Sequence, residues 1–112
     1  MTDDRLPAHL EVGGLVRAVQ AAGGFATVLS KGERDAGTIA LVLLDRHGPA
    51  RFMERMPQLD GSRIFTCTRE QDTENAGEFD AYVSRRAASD PDLWVVELDV
   101  ASPERFAAMQ QK

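Results

Sequence analysis

The segment "TIALVLLD", from Thr38 to Asp45, is an unbroken aliphatic run that ends on an acid. Successive side chains of a β-strand point to opposite faces of its sheet, and both faces of this segment are apolar. A strand that is apolar on both faces is buried between two layers. The segment therefore predicts a central strand, with further elements packed above and below the sheet.

Four more strands and three helices are predicted around this strand from apolar periodicity and turn residues. The strands are "FATVLS" (25–30), "RFMERMP" (51–57), "RIFTCT" (63–68) and "LWVVELDV" (93–100). The first helix is predicted from Val12 to the glycine pair at 23–24, and the second from near Asn75–Glu78 to the start of "SDPD" (89–92). Ser102 caps a short last helix, with Pro103 in its first position.

The predicted order of helix, four strands, helix, strand and helix is typical of an α+β protein. We expect one small domain over residues 1–112. Short connections between successive strands favour neighbouring, antiparallel pairing, so the prediction is a mostly antiparallel five-stranded sheet with helices packed on it. Helices are expected on one or both faces of the sheet, of which the second arrangement makes three layers, and Trp94 is expected in the core.

The charge balance argues against two classes of partner. The formal net charge is −5 at pH 7, whereas nucleic acid and anionic membranes bind proteins through Lys and Arg. We therefore expect neither as a partner. Two groups of arginines are candidates for a local anion site, namely Arg46, Arg51 and Arg55, and the pair Arg85 and Arg86. The weaker hypothesis of nucleic-acid binding rests on the arginines of the third strand, Arg51 and Arg55.

Cysteine usage and the apolar segments predict a cytoplasmic protein. The single Cys67 forms no intramolecular disulfide, as is usual in a reducing compartment. "MTDDRLPAHLEVGG" (1–14) lacks the apolar segment of a secretory signal. The longest apolar run, "IALVLL" (39–44), is far shorter than the roughly 20 residues of a membrane helix.

Motifs for metal, nucleotide or nucleophilic chemistry are not found in the sequence. His9 and His47 lie at no metal-ligand spacing from each other or from Cys67. Phosphate-loop, dinucleotide and serine-hydrolase motifs are missing as well. Cys67, inside a predicted strand, is expected to be a buried structural thiol. The sequence thus predicts no metal and no cofactor, and it leaves open whether the protein is an enzyme.

Two charged turns are candidates for binding. The tip "SKGERDAG" (30–37) follows the first strand and "DPD" (90–92) precedes the fifth, so antiparallel strands would place both at one end of the sheet. Opposite charges on the two turns would then face each other across a shallow cleft. Paired acids near a strand, such as Glu97 and Asp99, can also raise each other's pKa. The candidate binding residues are Lys31, Arg34, Asp35, Asp90, Asp92 and Glu97.

Each candidate has a plainer interpretation. Exposed charges of both signs can form local ion pairs, each worth about 0 to 1 kcal/mol. Asp-Pro-Asp makes a rigid turn, and acids on an edge strand prevent aggregation.

Two hypotheses of function follow from these alternatives. The leading hypothesis is a non-catalytic protein-interaction or regulatory module, of which a homodimer is one form. The alternative is a small enzyme that uses Asp35, Asp92 and Glu97, with Lys31 or Arg34 binding an anionic substrate.

Two segments carry a family resemblance. "GGFATVLSKGERDAGTIALV" (23–42) and "DPDLWVVELD" (90–99) resemble the domain of unknown function 1491 family of short bacterial proteins. The resemblance implies a single small domain and no assigned activity. The positions that carry it are Gly24, Gly32, Ala36, Gly37, Asp90, Pro91, Asp92, Leu93, Trp94 and Glu97.

Overall fold

A computed structural model of the chain describes residues 6–102. The elements in this range are α1 (Ala8–Ala21), β1 (Phe25–Ser30), β2 (Thr38–Leu44), β3 (Arg51–Pro57), β4 (Arg63–Glu70), α2 (Ala76–Ser89) and β5 (Leu93–Asp99). All five predicted strands are confirmed. The predicted last helix, from Pro103 onward, lies outside the described residues.

The sheet is mixed rather than purely antiparallel. Its strand order is β1-β5-β2-β3-β4. Three of the four pairings are antiparallel, and β2 pairs with β5 in parallel. The expectation that successive strands are neighbours is wrong for β1 and β2, because β5 lies between them. Burial explains the arrangement: most residues of β2 and β5 are buried on both faces, so these strands occupy the interior, whereas β1 is half exposed along its length and lies at an edge.

Two hydrophobic cores lie on opposite faces of the sheet. α1 packs on one face and α2 on the other, so the predicted three layers are confirmed for the described residues. The α1 core holds Val12, Leu15, Val19, Ile39, Leu41, Leu43, Trp94, Val96 and Leu98, among others. The α2 core holds Ala40, Val42, Ala50, Phe52, Phe79, Leu93 and Val95. Trp94 is only 7% exposed, as expected for a core residue.

Helix boundaries differ slightly from the prediction. α1 begins directly after Pro7 rather than at Val12, because carbonyl groups from another part of the chain accept hydrogen bonds from its first N–H groups. α2 begins at Ala76, as predicted, and includes Ser89. Within residues 6–102, neither helix combines the length and the apolar character that crossing a membrane requires.

Cys67 is exposed, so the expectation of a buried thiol is wrong. β4 is an edge strand, and Phe65 is its one buried residue. Because side chains alternate along β4, Cys67 lies on the same face of the sheet as Phe65. That face is uncovered at Cys67 because the α1 core ends at Phe65.

Candidate functional site

The β1–β2 loop (residues 31–37) and the turn before β5 (residues 90–92) are in direct contact. The Glu33 N–H donates to the carbonyl oxygen of Asp92 over 3.2 Å. Their strands, β1 and β5, pair antiparallel, which is the condition for a shared end of the sheet. The prediction that these two segments meet is therefore confirmed.

Glu33 is the centre of this contact. Its carbonyl oxygen accepts a hydrogen bond from the Trp94 indole nitrogen at 2.7 Å. Its carboxylate accepts one from the Asp35 N–H at 2.8 Å and another from the Ala36 N–H. One residue thus closes the loop on itself and fastens it to the core tryptophan.

The same loop holds the first turn of α1. The Ala8 N–H donates to the Asp35 carbonyl at 3.0 Å, and the His9 N–H donates to the Arg34 carbonyl at 2.9 Å. The His9 ring nitrogen Nδ1 also lies 3.1 Å from the Arg34 carbonyl. Because the first N–H groups of a helix have no partner within the helix, the loop supplies what α1 lacks.

Close packing explains the two glycines of the loop. A Cβ atom on Gly32 would lie 2.3 Å from the Asp92 carbonyl oxygen. One on Gly37 would lie 2.5 Å from the carbonyl oxygens of both Asp92 and Glu33. Both positions therefore exclude any side chain, and the segment that carries the family resemblance has a structural role.

The charged side chains at this end of the sheet do not pair across the turn. Lys31, Arg34 and Asp35 are exposed. Within residues 6–102, no ion pair joins Lys31 or Arg34 to Asp90 or Asp92. Asp90 instead shapes its own turn, since its carboxylate accepts from the Asp92 N–H at 3.0 Å. These five residues remain predictions as ligand contacts.

A cleft of about 450 Å³ opens where the β2–β3 pairing ends, at Ala40 opposite Glu54. Two ion pairs line it: Glu11 with Arg55, and Glu54 with Arg86 at 2.6 Å. The hydrogen bond from Arg86 lowers the pKa of Glu54, and one from Thr68 adds to the effect. Because this carboxylate is held ionised, the cleft offers no poised proton donor there.

A second groove, of about 320 Å³, lies between α2 and strands β1 and β5. Its floor is apolar and belongs to the α2 core. Glu97 and Asp80 line it, and the described residues that line it include no Lys or Arg. The predicted site residues are therefore split, since Glu97 lies in this groove and Asp90 and Asp92 lie at the end of the sheet. The interpretation of Glu97 as an edge-strand charge is wrong, because β5 is an interior strand.

The pKa of Glu97 is raised. Burial is the largest cause, and the negative charges of Asp99 and Asp80 add to it. Asp99 itself lies 3.8 Å from the Arg46 guanidinium. The charged form of Glu97 is thus less favourable in the folded protein than in the unfolded chain.

We expect Glu97→Gln to raise the melting temperature at pH 7. Because the pKa of Glu97 is higher in the folded protein than in the unfolded chain, the protonated carboxyl group stabilises the fold. This contribution is complete below the unfolded-state pKa and is lost as the pH rises through the folded-state pKa. Glutamine keeps the neutral form, so its advantage should vanish below about pH 4. Thermal melts of both proteins at pH 3.5 and pH 7 measure this. Glu74→Gln, at an exposed acid outside both cavities, should change neither melt; an equal rise for the two variants at pH 7 would contradict the assignment.

The free edge of β1 is the feature that the sequence analysis missed. Phe25 and Thr27 alternate with two residues that pack on the α1 core, and Leu29, at the irregularity before Ser30, lines the groove beside α2, so all three lie on the α2 side of the sheet. α2 leaves them uncovered: Phe25 is 69% exposed and Leu29 is 46% exposed. Alternation in "FATVLS" places these residues on one face, but no signal in the sequence shows that α2 stops short of β1.

Four of the five arginines considered for anion or nucleic-acid binding face carboxylates. Arg51 lies 3.4 Å from Glu70, and Arg46 faces Asp99. Arg55 and Arg86 form the ion pairs of the cleft. No uncompensated basic stripe follows β3, so the local nucleic-acid hypothesis gains no support. Among the described residues, no group of three or more His, Cys, Asp or Glu side chains could hold a metal ion.

Comparison with known proteins agrees with this fold. A family model described as "Protein of unknown function (DUF1491)" matches residues 6–108. The chain is similar to a DUF1491 family protein from Caulobacter crescentus CB15: its crystal structure has 34% identity and a TM-score of 0.77, over 91% of this chain and 94% of that one. An NMR structure of a DUF1491 family protein from the same organism has 34% identity and a TM-score of 0.74, over 91% and 92%.

Protein Atu0922 from A. tumefaciens, solved in solution, is 33% identical with a TM-score of 0.66, over 88% of this chain and 91% of that chain. No curated protein matches the chain. The family match covers nearly the whole chain and includes the glycine-framed loop and the "DPDLW" turn. The chain therefore belongs to the DUF1491 family.

Proposed function

We propose that the protein is a non-catalytic interaction module that binds an extended segment of a protein partner along the free edge of β1. The observation that carries this proposal is the exposure of Phe25 and Leu29 on an edge strand. An edge strand presents unpaired backbone N–H and C=O groups, which can accept another strand. The exposed side chains would add apolar contact to those hydrogen bonds.

The two edges of the sheet differ in a way that supports this choice. Edge strands commonly avoid association through charged residues and bulges. The pairing of each edge strand contains an irregularity, at Leu29 in β1 and between β3 and β4, so the two edges differ in charge: β4 carries Arg63, Arg69 and Glu70. β1 carries no charged residue and no proline. Outside its pairing with β5, no backbone hydrogen bond within residues 6–102 involves β1.

The carboxylate-enzyme alternative has one supporting feature, which is the raised pKa of Glu97. An enzyme of that kind needs a cation near the carboxylates to bind an anionic substrate. Lys31 and Arg34 are not among the described residues that line the Glu97 groove. The geometry therefore favours the interaction module.

Two variants of β1 test the proposal. Thr27→Pro places in the edge strand a residue that disfavours strand pairing, and Leu29→Lys puts a charge in the exposed apolar patch. Both should bind a partner at least about tenfold more weakly, since a buried leucine contributes roughly 1.5–3 kcal/mol. The partner is first identified by cross-linking to the wild-type protein in the source cells, and its dissociation constant is then measured with purified proteins.

Leu59→Lys is the matched control, because Leu59 is fully exposed in the β3–β4 turn, remote from β1. It should bind as the wild type does. If Leu29→Lys and Thr27→Pro retain full affinity while their melting curves stay cooperative, the β1 edge is not the binding surface.

A further inference from the structure

We infer that the partner segment bound at β1 is basic: it places a lysine or arginine side chain over Glu97 and Asp80, in the groove between β1 and α2. This inference rests on the proposed function and specifies the chemistry of the partner. It depends on three features of the described residues, which are the continuity of the edge with the groove, the charge of the groove and the area that the edge alone provides.

The edge and the groove form one surface. Leu29 and Ser30 belong to β1 and also line the groove. Thr27 is the register partner of Glu97 on the neighbouring strand, so the two side chains lie side by side on the same face. A strand added to β1 would therefore place alternate side chains next to Thr27, about two strand spacings, or roughly 10 Å, from Glu97. A lysine or arginine side chain leaning inward from that position can reach Glu97.

The groove carries negative charge without a compensating cation. Asp80 and Glu97 line it, and its other described lining residues are apolar or carry hydroxyl groups. Asp99 lies on the same face of β5, two residues beyond Glu97, but Arg46 already lies 3.8 Å from it. A cationic side chain placed in the groove would relieve the repulsion between Asp80 and Glu97, and its methylene stem would pack on the apolar floor formed by Phe79 and Val83.

The exposed edge is too small to form a stable complex alone. Each partner in a specific complex buries roughly 800 Å², whereas a large aromatic side chain supplies about 150–250 Å². Phe25 and Leu29 together fall well short of that requirement. A partner that also fills the groove gains the additional contact, and the groove selects a basic one.

Charge also disfavours a second copy of this chain as the occupant. Antiparallel pairing of β1 with the β1 of another copy would place both acidic grooves on one face of a continuous sheet. Each copy has a net charge of −5, so this arrangement would bring like charges together. A basic segment from a different protein meets no such repulsion.

Three synthetic octapeptides provide the probe. They share an alternating valine and threonine pattern and differ at one central position, which holds lysine, glutamine or glutamate. Binding is followed through the backbone amide signals of the isotope-labelled protein, by NMR. We expect the lysine peptide to shift the signals of β1 residues and to bind about tenfold more tightly than the glutamine peptide, with the glutamate peptide weakest.

Two variants test whether the groove causes the preference for the lysine peptide. Glu97→Gln and Asp80→Asn should each reduce the difference between the lysine and glutamine peptides. Glu74→Gln, an exposed acid outside the groove, should leave it unchanged. Raising the salt concentration should weaken the lysine peptide most.

The outcomes separate the inference from the function on which it rests. If no peptide perturbs β1 at millimolar concentration, strand addition at this edge fails, and with it the proposed function. If all three peptides bind at β1 with equal affinity, strand addition stands and the basic partner is overturned. If the peptide-free protein sediments as a dimer whose β1 signals change on dilution, the occupant is a second copy and the inference is likewise overturned.

Discussion

Leu43→Asp is expected to leave the chain unfolded at 25 °C. Leu43 is 1% exposed and belongs to the α1 core, on the strand between β5 and β3. Arg51, its cross-strand neighbour on β3, already lies 3.4 Å from Glu70, so the new carboxylate would compete for a cation that is in use. Burial of such a charge costs several kcal/mol, against a total stability of roughly 5–15 kcal/mol for a domain. Far-ultraviolet circular dichroism and a thermal melt of the purified variant measure the loss.

Leu59→Asp is the matched control for this substitution. The same change of side chain is made at a leucine that is 110% exposed. Its melting curve should coincide with that of the wild type, because exposed substitutions usually change stability by no more than about 0.5 kcal/mol. A cooperative, wild-type melt for Leu43→Asp would show that β2 is not the interior strand of the sheet.

Gly37→Ala is expected to lower the melting temperature by roughly 5–20 °C, since overpacking typically costs about 1–3 kcal/mol. The added Cβ would lie 2.5 Å from the carbonyl oxygens of Glu33 and Asp92 and 3.0 Å from the Trp94 ring. Two of these atoms are backbone, so the loop and the turn must move apart. Trp94 should report the change, because its indole nitrogen donates to the Glu33 carbonyl. Thermal melting measures the loss of stability, and tryptophan fluorescence measures the change in the surroundings of Trp94.

Gly77→Ala provides the comparison. Gly77 lies in α2, and a Cβ there would have nothing within 4 Å. Alanine is favoured over glycine in a helix by up to about 1 kcal/mol, so this variant should melt at the same temperature as the wild type or slightly above it. If both alanine variants melt alike, the close contact between the loop and the turn is not present in solution.

The sequence predicts the strands well because their apolar periodicity is strong. "TIALVLLD" is apolar on both faces, which predicts it as an interior strand. "LWVVELDV" is predicted as a strand, but its two acids favour an edge position, and the structure places it in the interior. Their parallel pairing could not be predicted, since periodicity describes the faces of a strand and not its neighbours. Short connections favour pairing between β1 and β2, but the seven-residue loop between them instead makes room for β5.

The candidate site was predicted in part. Antiparallel pairing of β1 and β5 brings residues 31–37 against residues 90–92, as expected. The position of Glu97 away from them follows from simple distance, because it lies five residues beyond Asp92 on an extended strand. The exposure of Phe25 and Leu29 depends on where α2 packs, and that tertiary arrangement has no local sequence signal.

The insertion of β5 between β1 and β2 has a consequence for how the chain acquires its structure during synthesis. The β2-β3-β4 meander needs only nearby residues, so it can form as soon as Glu70 is available. β1 precedes the meander in the chain yet has no neighbour in the sheet except β5, which begins at Leu93. A nascent chain must therefore hold its first strand unpaired while more than sixty residues are added. Until β5 is made, β1 has no strand on either side, so the edge that we propose binds a partner is open to premature association on the ribosome.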